Sequence, residues 1–167
     1  MMPYTMKVEG MDKITAMLKE LGEQAGSAAA AGLYDGAGMM AGEIRHNAEG
    51  IKTAKRKHSE PGGRLPTPEE KAAVLAAEGS GIARFRRDQD GVNTSVGYAK
   101  AGYVIINGRR KPIPLIANAI NSGTSFMKKQ AFFRRAVNRG SRDAETAIIR
   151  TIEARINAIT KENGGNG

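Results

Sequence analysis

The chain has 167 residues, of which 40% are hydrophobic and 26% are charged, and this composition suits one folded domain rather than a disordered segment. It has no cysteine, which excludes disulfides, thiolate metal sites and cysteine nucleophiles and agrees with folding in a reducing cytoplasm. No apolar run approaches the roughly 18 residues that a membrane span needs, and the formal net charge of +9 indicates an acidic partner.

The N-terminal part of the chain is predicted to be mainly helical. Tyr4–Val8 alternates as a short edge strand does, and apolar residues then recur at helical spacing from Met11 to Leu21. A second helix is predicted over Ser27–Ala48, and its apolar stripe consists of Ala29, Leu33, Ala37, Met40 and Ile44. Four glycines lie in this helix, each costing up to about 1 kcal/mol relative to alanine. Two interpretations stay open: a loosely packed core helix, or a face that packs against another subunit.

A long basic loop is predicted over residues 49–66. Structureless loops of this length are uncommon inside compact domains and are usually functional or mobile. We therefore expect the loop to be mobile in the isolated monomer and to become ordered against a neighbouring subunit. The residues expected to make that contact are Lys52, Lys55, Arg56 and Lys57.

A helix start follows the loop. Thr67 can act as the N-cap, Pro68 occupies the first helical position, and Glu70 closes a capping box. This helix is predicted to extend to about Glu78.

The apolar period then changes from helical to two, which indicates antiparallel strands. Ile82–Arg87 and Val92–Tyr98 are predicted to form a hairpin around the turn signal Asp90-Gly91. Tyr103–Ile106 is predicted to be a third strand, followed by a second turn signal at Asn107-Gly108. The exposed tip of that second turn is expected to consist of Arg109, Arg110 and Lys111.

The C-terminal part is predicted to return to helix. Leu115–Ile120 is a short helix or an extended connector, and Phe126–Val137 is a helix in which Phe132 and Phe133 supply apolar anchors. Ser141 caps the last helix, or else an aspartate two residues later does, and its apolar stripe consists of Ala144, Ile148, Ile152, Ile156 and Ile159.

The order of elements predicts an α+β fold with a small antiparallel sheet packed against long helices, a C-terminal amphipathic helix and one long basic loop. We expect a single domain over residues 1–162 and a flexible tail at 163–167.

The net positive charge of the chain comes from one window of the sequence. Between Gly91 and Arg142 there are ten basic residues and no acid, so the remainder of the chain is close to neutral. Three interpretations are open: a surface that docks onto an acidic protein ring, a contact to nucleic acid, or a solvated face with no partner. The ten residues are Lys100, Arg109, Arg110, Lys111, Lys128, Lys129, Arg134, Arg135, Arg139 and Arg142.

No set of residues predicts catalysis. His46 and His58 lie in different predicted elements with no carboxylate at ligand spacing, and Asp88–Gly91 is interpreted as a hairpin turn rather than a calcium loop. The sequence has no phosphate-binding glycine motif and no nucleophile elbow. We therefore predict no enzyme activity, no cofactor and no metal.

Several segments follow one another in a characteristic order. A short strand and a helix ending at Leu21 precede a long helix rich in small residues, Ala28–Ala48, and a basic loop. Strands then end in Val-Gly-Tyr at residues 96–98, and a Gly-Thr pair follows at 123–124. The last part is a Phe-aromatic-Arg-Arg-Ala helix at 132–136 and a closing amphipathic helix. This order resembles the neck, or tail-completion, components of long-tailed bacteriophages. Where that family commonly has an acid before the Gly-Thr pair, this chain has Asn121-Ser122.

The resemblance implies a structural virion protein of the head–tail joint with no catalysis. Such proteins form a ring, expected to be a hexamer, between the head-completion or connector ring and the tail terminator or tail-tube proteins. DNA passes through the ring on ejection, so genomic DNA in the lumen is a further candidate partner. The implied location is the neck of the virion, after assembly in the cytoplasm of the bacterial host.

The residues expected to contact a partner ring or DNA combine basic side chains with two apolar anchors. They are Arg109, Arg110, Lys111, Lys128, Lys129, Arg134 and Arg135, with Phe132 and Phe133 as the anchors. Two other functions stay open: a free nucleic-acid-binding protein that uses the window 91–142, and a tail assembly factor that is absent from the final particle.

Overall fold

The computed structural model of the protein describes residues 4–6, 23–55, 62–76, 81–88 and 91–164. These ranges contain four helices and six strands. The helices are α1 (Glu23–Glu49), α2 (Pro68–Leu75), α3 (Ile113–Ser122) and α4 (Phe132–Gly164). The strands are β1 (Tyr4–Met6), β2 (Gly81–Ile82), β3 (Arg86–Asp88), β4 (Gly91–Gly97), β5 (Tyr103–Ile106) and β6 (Arg109–Pro112). The predicted α+β class is confirmed, whereas the helix predicted over Met11–Leu21 lies outside the described residues.

The two long helices, α1 and α4, pack along each other and form the centre of the fold. All residues of the stripe predicted on α1 are at most 1% exposed, so this stripe is confirmed as core. From α4, Ile148 and Ile152 lie in the same core, each 1% exposed. Burial of these side chains, rather than the helix propensity of a glycine-rich segment, stabilises α1.

Two glycines explain how α1 and α4 come close. A methyl group on Gly32 would lie 2.9 Å from the carbonyl oxygen of Ile148, and one on Gly36 would overlap the side chain of Ile148. The other two glycines, Gly38 and Gly42, face outward, and a methyl group on either would meet no described atom within 4 Å. Close packing therefore occurs inside the monomer at the first pair, and only the second pair is open to a neighbour.

α4 is one continuous helix, which corrects the prediction of two. The sequence pattern separated Phe126–Val137 from a last helix beginning after Gly140, but the helix begins at Phe132 and passes through Gly140. This glycine lies against α1, where a methyl group would be 2.9 Å from Cγ of Glu43. The glycine is therefore a contact point between helices and not a break.

β4 is the centre of a small antiparallel sheet. β1 and β2 lie on either side of it, and β3 pairs with its first three residues. Tyr4 and Ile82 both lie opposite Val96, which is fully buried. The predicted edge strand is confirmed over Tyr4–Met6, and β3 and β4 confirm the pairing of the predicted hairpin. The first strand of that hairpin, predicted as Ile82–Arg87, is divided into β2 and β3, which residues 83–85 separate. The sheet packs against α1.

α2 begins as the sequence predicts. Glu70 N–H donates to Thr67 Oγ1 at 3.2 Å, and Thr67 N–H donates back to Glu70 Oε2 at 3.0 Å. The helix ends at Leu75, earlier than the expected Glu78, because Ala76 adopts an extended ψ of 138°.

β5 and β6 form a separate two-stranded sheet, and α3 follows β6 directly. The short helix expected over Leu115–Ile120 is confirmed as part of α3. Ile106 at the end of β5 is 4% exposed and Ile113 at the start of α3 is also 4% exposed, so both elements are fixed to the core.

Candidate interaction surface

The ten basic residues of the acid-free window lie on four parts of the fold, and nine of them are exposed. Lys111 is the one that has an ion pair within the described residues. The other nine have no ion pair within the described residues, although Arg110 contacts an aromatic ring of the same hairpin. The four parts are the turn after β4 (Lys100), strand β6 (Arg109–Lys111), the segment before α4 (Lys128 and Lys129) and the first turns of α4 (Arg134, Arg135, Arg139 and Arg142).

The β5–β6 hairpin carries three of these residues, but not at its tip. The tip is Asn107-Gly108, where both residues have positive φ, 52° and 69°, as a type I′ turn requires. The prediction that residues 109–111 form the tip is therefore wrong, because they form the return strand. Because successive side chains of a strand point to opposite sides of the sheet, Arg110 and Lys111 lie on opposite faces of the hairpin. Arg110 lies over the ring of Tyr103, 4.0 Å from its centroid.

Arg134 and Arg135 lie exposed in the first turn of α4. The backbone gives this end of a helix a partial positive charge, and α4 has no acid in its first turn to offset it. The cap comes from α3: the side-chain oxygen of Asn121 accepts hydrogen bonds from the backbone N–H groups of Phe133 at 3.1 Å and Arg134 at 3.3 Å. Because the capping amide is neutral, the positive potential at this end is retained.

Phe132 and Phe133 are not available as anchors for a partner. They are 0% and 6% exposed, and their ring centroids lie 6.1 and 6.4 Å from that of buried Tyr98. The prediction of a partner contact for these two residues is therefore wrong. Their burial attaches the start of α4 to the core, and the adjacent arginines point away from it because a helix turns by about 100° per residue.

Lys128 and Lys129 are exposed on the irregular segment 123–131 between α3 and α4. This segment is fixed at its base: Gln130 N–H donates to Ile120 O at 2.8 Å, and Ala131 has a positive φ of 46°. The two lysines are thus held at defined positions beside the N-terminus of α4.

The described ends of the long loop are bound to that same segment. Lys52 N–H donates to Gln130 Oε1 at 2.9 Å, and Gln130 Nε2 donates to Lys52 O at 2.7 Å. At the other end, Arg64 N–H donates to Phe126 O at 2.8 Å. These bonds correct the expectation that the whole loop becomes ordered only against a neighbour. Lys52 and Lys55 are exposed, whereas Arg56 and Lys57 lie outside the described residues.

A buried carboxylate joins this surface to the core. The two oxygens of Glu70 accept hydrogen bonds from Nη1 and Nη2 of Arg64 at 2.7 and 2.6 Å, and Lys111 Nζ lies 3.6 Å away. Burial opposes ionisation, but the Arg64 guanidinium, the Thr67 amide and the nearby lysine hold the pKa of Glu70 below its ordinary value. Glu70 therefore connects the long loop, α2 and strand β6 through a single charged group.

Sequence reasoning missed several residues of this surface. Residues 103–106 read Tyr-Val-Ile-Ile, a continuous apolar run, and such a run does not say that one face of the strand is exposed. Ile105 is 74% exposed and Tyr103 is 59% exposed. Asn121, read only as a departure from a family pattern, is the cap of α4.

The described residues contain no group of three or more His, Cys, Asp or Glu side chains that could hold a metal ion. His46 lies exposed on α1, with Nδ1 3.9 Å from a carboxylate oxygen of Glu49. Across the described ranges, no helix has the length and apolar character to cross a membrane.

Comparisons of the chain with protein-family models, with curated proteins and with solved structures find no match.

Proposed function

We propose that this protein is a structural subunit of the head–tail joint, or neck, of a long-tailed bacteriophage. In this proposal it forms a ring, taken to be a hexamer, between the connector of the head and the top of the tail, and it has no catalytic role. The order of sequence segments that resembles the neck family motivates the assignment, and the structure supplies the surface on which it depends.

One observation carries the proposal. Nine of the ten basic residues in the acid-free window are exposed, and none of those nine has an ion pair within the described residues. An excess of like charge destabilises the compact state through self-repulsion. An acidic ring above or below this subunit would remove that repulsion on docking, and charge complementarity would set the register between the rings.

Exposed apolar side chains favour a protein partner. Tyr103, Ile105, Leu115 and Phe126, all from the acid-free window, are between 59% and 77% exposed. Protein interfaces use such side chains as anchors inside a polar rim. Phosphates gain nothing from Ile105 and Leu115, so binding to the phosphate backbone of DNA leaves these two side chains unexplained.

Free nucleic-acid binding is the second candidate, and one observation favours it. Arg135, Arg139 and Arg142 are exposed and follow one another at spacings of four and three residues along α4, so they form one stripe that could follow a phosphate backbone.

Light scattering combined with negative-stain imaging separates the two functions. The protein is measured alone and with the tail-tube proteins encoded beside it, at physiological salt. Rings, or stable attachment to one end of the tubes, support the neck function. A monomer that does not bind the tubes but binds duplex DNA supports the second candidate and contradicts the first. The logarithm of its DNA affinity should then fall with the logarithm of salt concentration, with a slope of about 0.9 per neutralised phosphate.

A further inference from the structure

The β5–β6 hairpin has one face fixed to the protein and one face open. On the fixed face, Ile106 is 4% exposed and Lys111 reaches Glu70. On the open face, Ile105 lies directly opposite Arg110 in the antiparallel register, and Tyr103 is two residues from Ile105 on the same strand. We call Tyr103, Ile105 and Arg110 the hairpin face.

The side chains of the hairpin face already have a defined arrangement. The guanidinium of Arg110 lies over the Tyr103 ring, 4.0 Å from its centroid. A stacked guanidinium keeps the N–H groups at its edge free, and these match the two oxygens of a carboxylate. Ile105, which is 74% exposed, lies beside this pair as an uncovered apolar group. The face thus combines one apolar anchor with one oriented donor for a carboxylate.

The positive charge of Arg110 determines which kind of partner can bind the hairpin face. Within the described residues, the acid that forms an ion pair with this hairpin is Glu70, and it is already engaged by Arg64 and Lys111 on the fixed side. A two-fold contact would pair two copies of the same arginine-bearing face, neither of which offers a carboxylate, so it would leave Arg110 without an acidic partner. The occupant must therefore bring acidic groups of its own.

The apolar part of the face favours a protein over a nucleic acid. A base could stack only on an open aromatic ring face, and Arg110 occupies one face of the Tyr103 ring. Ile105 offers nothing to a phosphate, whereas an apolar depression on a protein would bury it.

We propose that the hairpin face docks onto an acidic surface of a different protein, in which Ile105 enters an apolar depression and Arg110 binds a carboxylate. The proposal depends on the proposed function only in taking that protein to be a component of the phage particle.

Site-specific photocrosslinking in infected host cells tests the proposal. The full chain carries p-benzoylphenylalanine in place of Ile105, or in place of Ile149, an exposed residue of α4, as the matched control. The expected result is an adduct at position 105, absent at position 149, whose crosslinked peptide from the other protein is rich in Asp and Glu. Adding Arg110→Glu should reduce its yield by at least about tenfold, whereas Arg150→Glu, which reverses an exposed charge on α4 outside the acid-free window, should leave it unchanged. Thermal melting of each purified variant establishes that it is folded.

Each other outcome is informative. An adduct to a second copy of this chain, an adduct to nucleic acid, or no adduct above the control at position 149 would overturn the docking proposal. An adduct to an acidic protein that is absent from purified virions would uphold the hairpin face as a docking surface and contradict the neck function.

Discussion

Replacing Glu70 by alanine tests whether the buried carboxylate holds the basic surface to the core. Its side chain is 3% exposed, and its oxygens accept two hydrogen bonds from Arg64 and one from the Thr67 amide. Removing one partner of a buried ion pair costs about 3–5 kcal/mol, because the other charge stays behind. Arg64 is 18% exposed and can regain some water, so we expect the lower end, about 3 kcal/mol. For a domain of this size that corresponds to a fall in Tm of about 6–12 °C.

Thermal unfolding followed by circular dichroism measures this change. Glu69→Ala is the matched control, because the neighbouring glutamate lies in the same helical turn but is exposed, and its effect should be much smaller. If Glu70→Ala and Glu69→Ala shift Tm equally, Glu70 does not act as a structural junction and the reasoning is refuted.

The remaining predictions concern acid stability, helix packing, a cap and one turn. The folded-state pKa of Glu70 is lowered, so the stability that Glu70 contributes is present above its ordinary pKa and is lost as pH falls through the folded value. The difference in Tm between wild type and Glu70→Ala should therefore shrink in acid. A difference independent of pH would contradict this. Gly36→Ala should lower Tm, because the added methyl group would overlap Ile148. Gly38→Ala, in open space on the same helix, should stabilise the monomer by about 1 kcal/mol. Equal effects of the two substitutions in chemical denaturation would contradict the packing described. Asn121→Ala should lower the free energy of unfolding by about 1 kcal/mol through loss of the α4 cap, while Asn121→Asp should retain or raise Tm. An aspartate variant as unstable as the alanine variant would exclude the capping role. Gly63→Ala should lower the free energy of unfolding by about 2 kcal/mol or more, because Gly63 has a φ of 95° and the added methyl group would lie 2.7 Å from Met127 N. Gly62→Ala, at a φ of 92° in open space, should cost less in the same denaturation experiment.

Local signals of the sequence predict most elements of the fold. The stripe on α1, the capping box at Thr67 and the turn at Asn107-Gly108 depend on residues close together in the chain, and each is found as expected. The continuity of α4 could not be predicted in this way, because a glycine favours a helix end in a local pattern, whereas Gly140 lies where α4 packs closely on α1 and a methyl group would be 2.9 Å from Cγ of Glu43.

The candidate surface was less predictable because it depends on which side of an element faces the core. Two adjacent phenylalanines before two arginines are compatible with a surface anchor and with a buried helix start, and only the contact with Tyr98 separates them. The apolar run of β5, Tyr103–Ile106, favours burial on both faces and does not say that Tyr103 and Ile105 are open. The junction of Arg64, Glu70 and Lys111 joins residues that are six apart to a lysine on a different element, and no sequence pattern indicates it.

Locating the protein in the particle tests the neck function most directly. Virions of the phage that encodes the chain are purified with a tag on its C-terminus, labelled with gold and imaged, and the copies per particle are counted by quantitative mass spectrometry. The proposed function predicts label at the head–tail joint in the copy number of a single ring. Virions that lack the protein, or that carry it elsewhere than at the joint, would contradict the proposal.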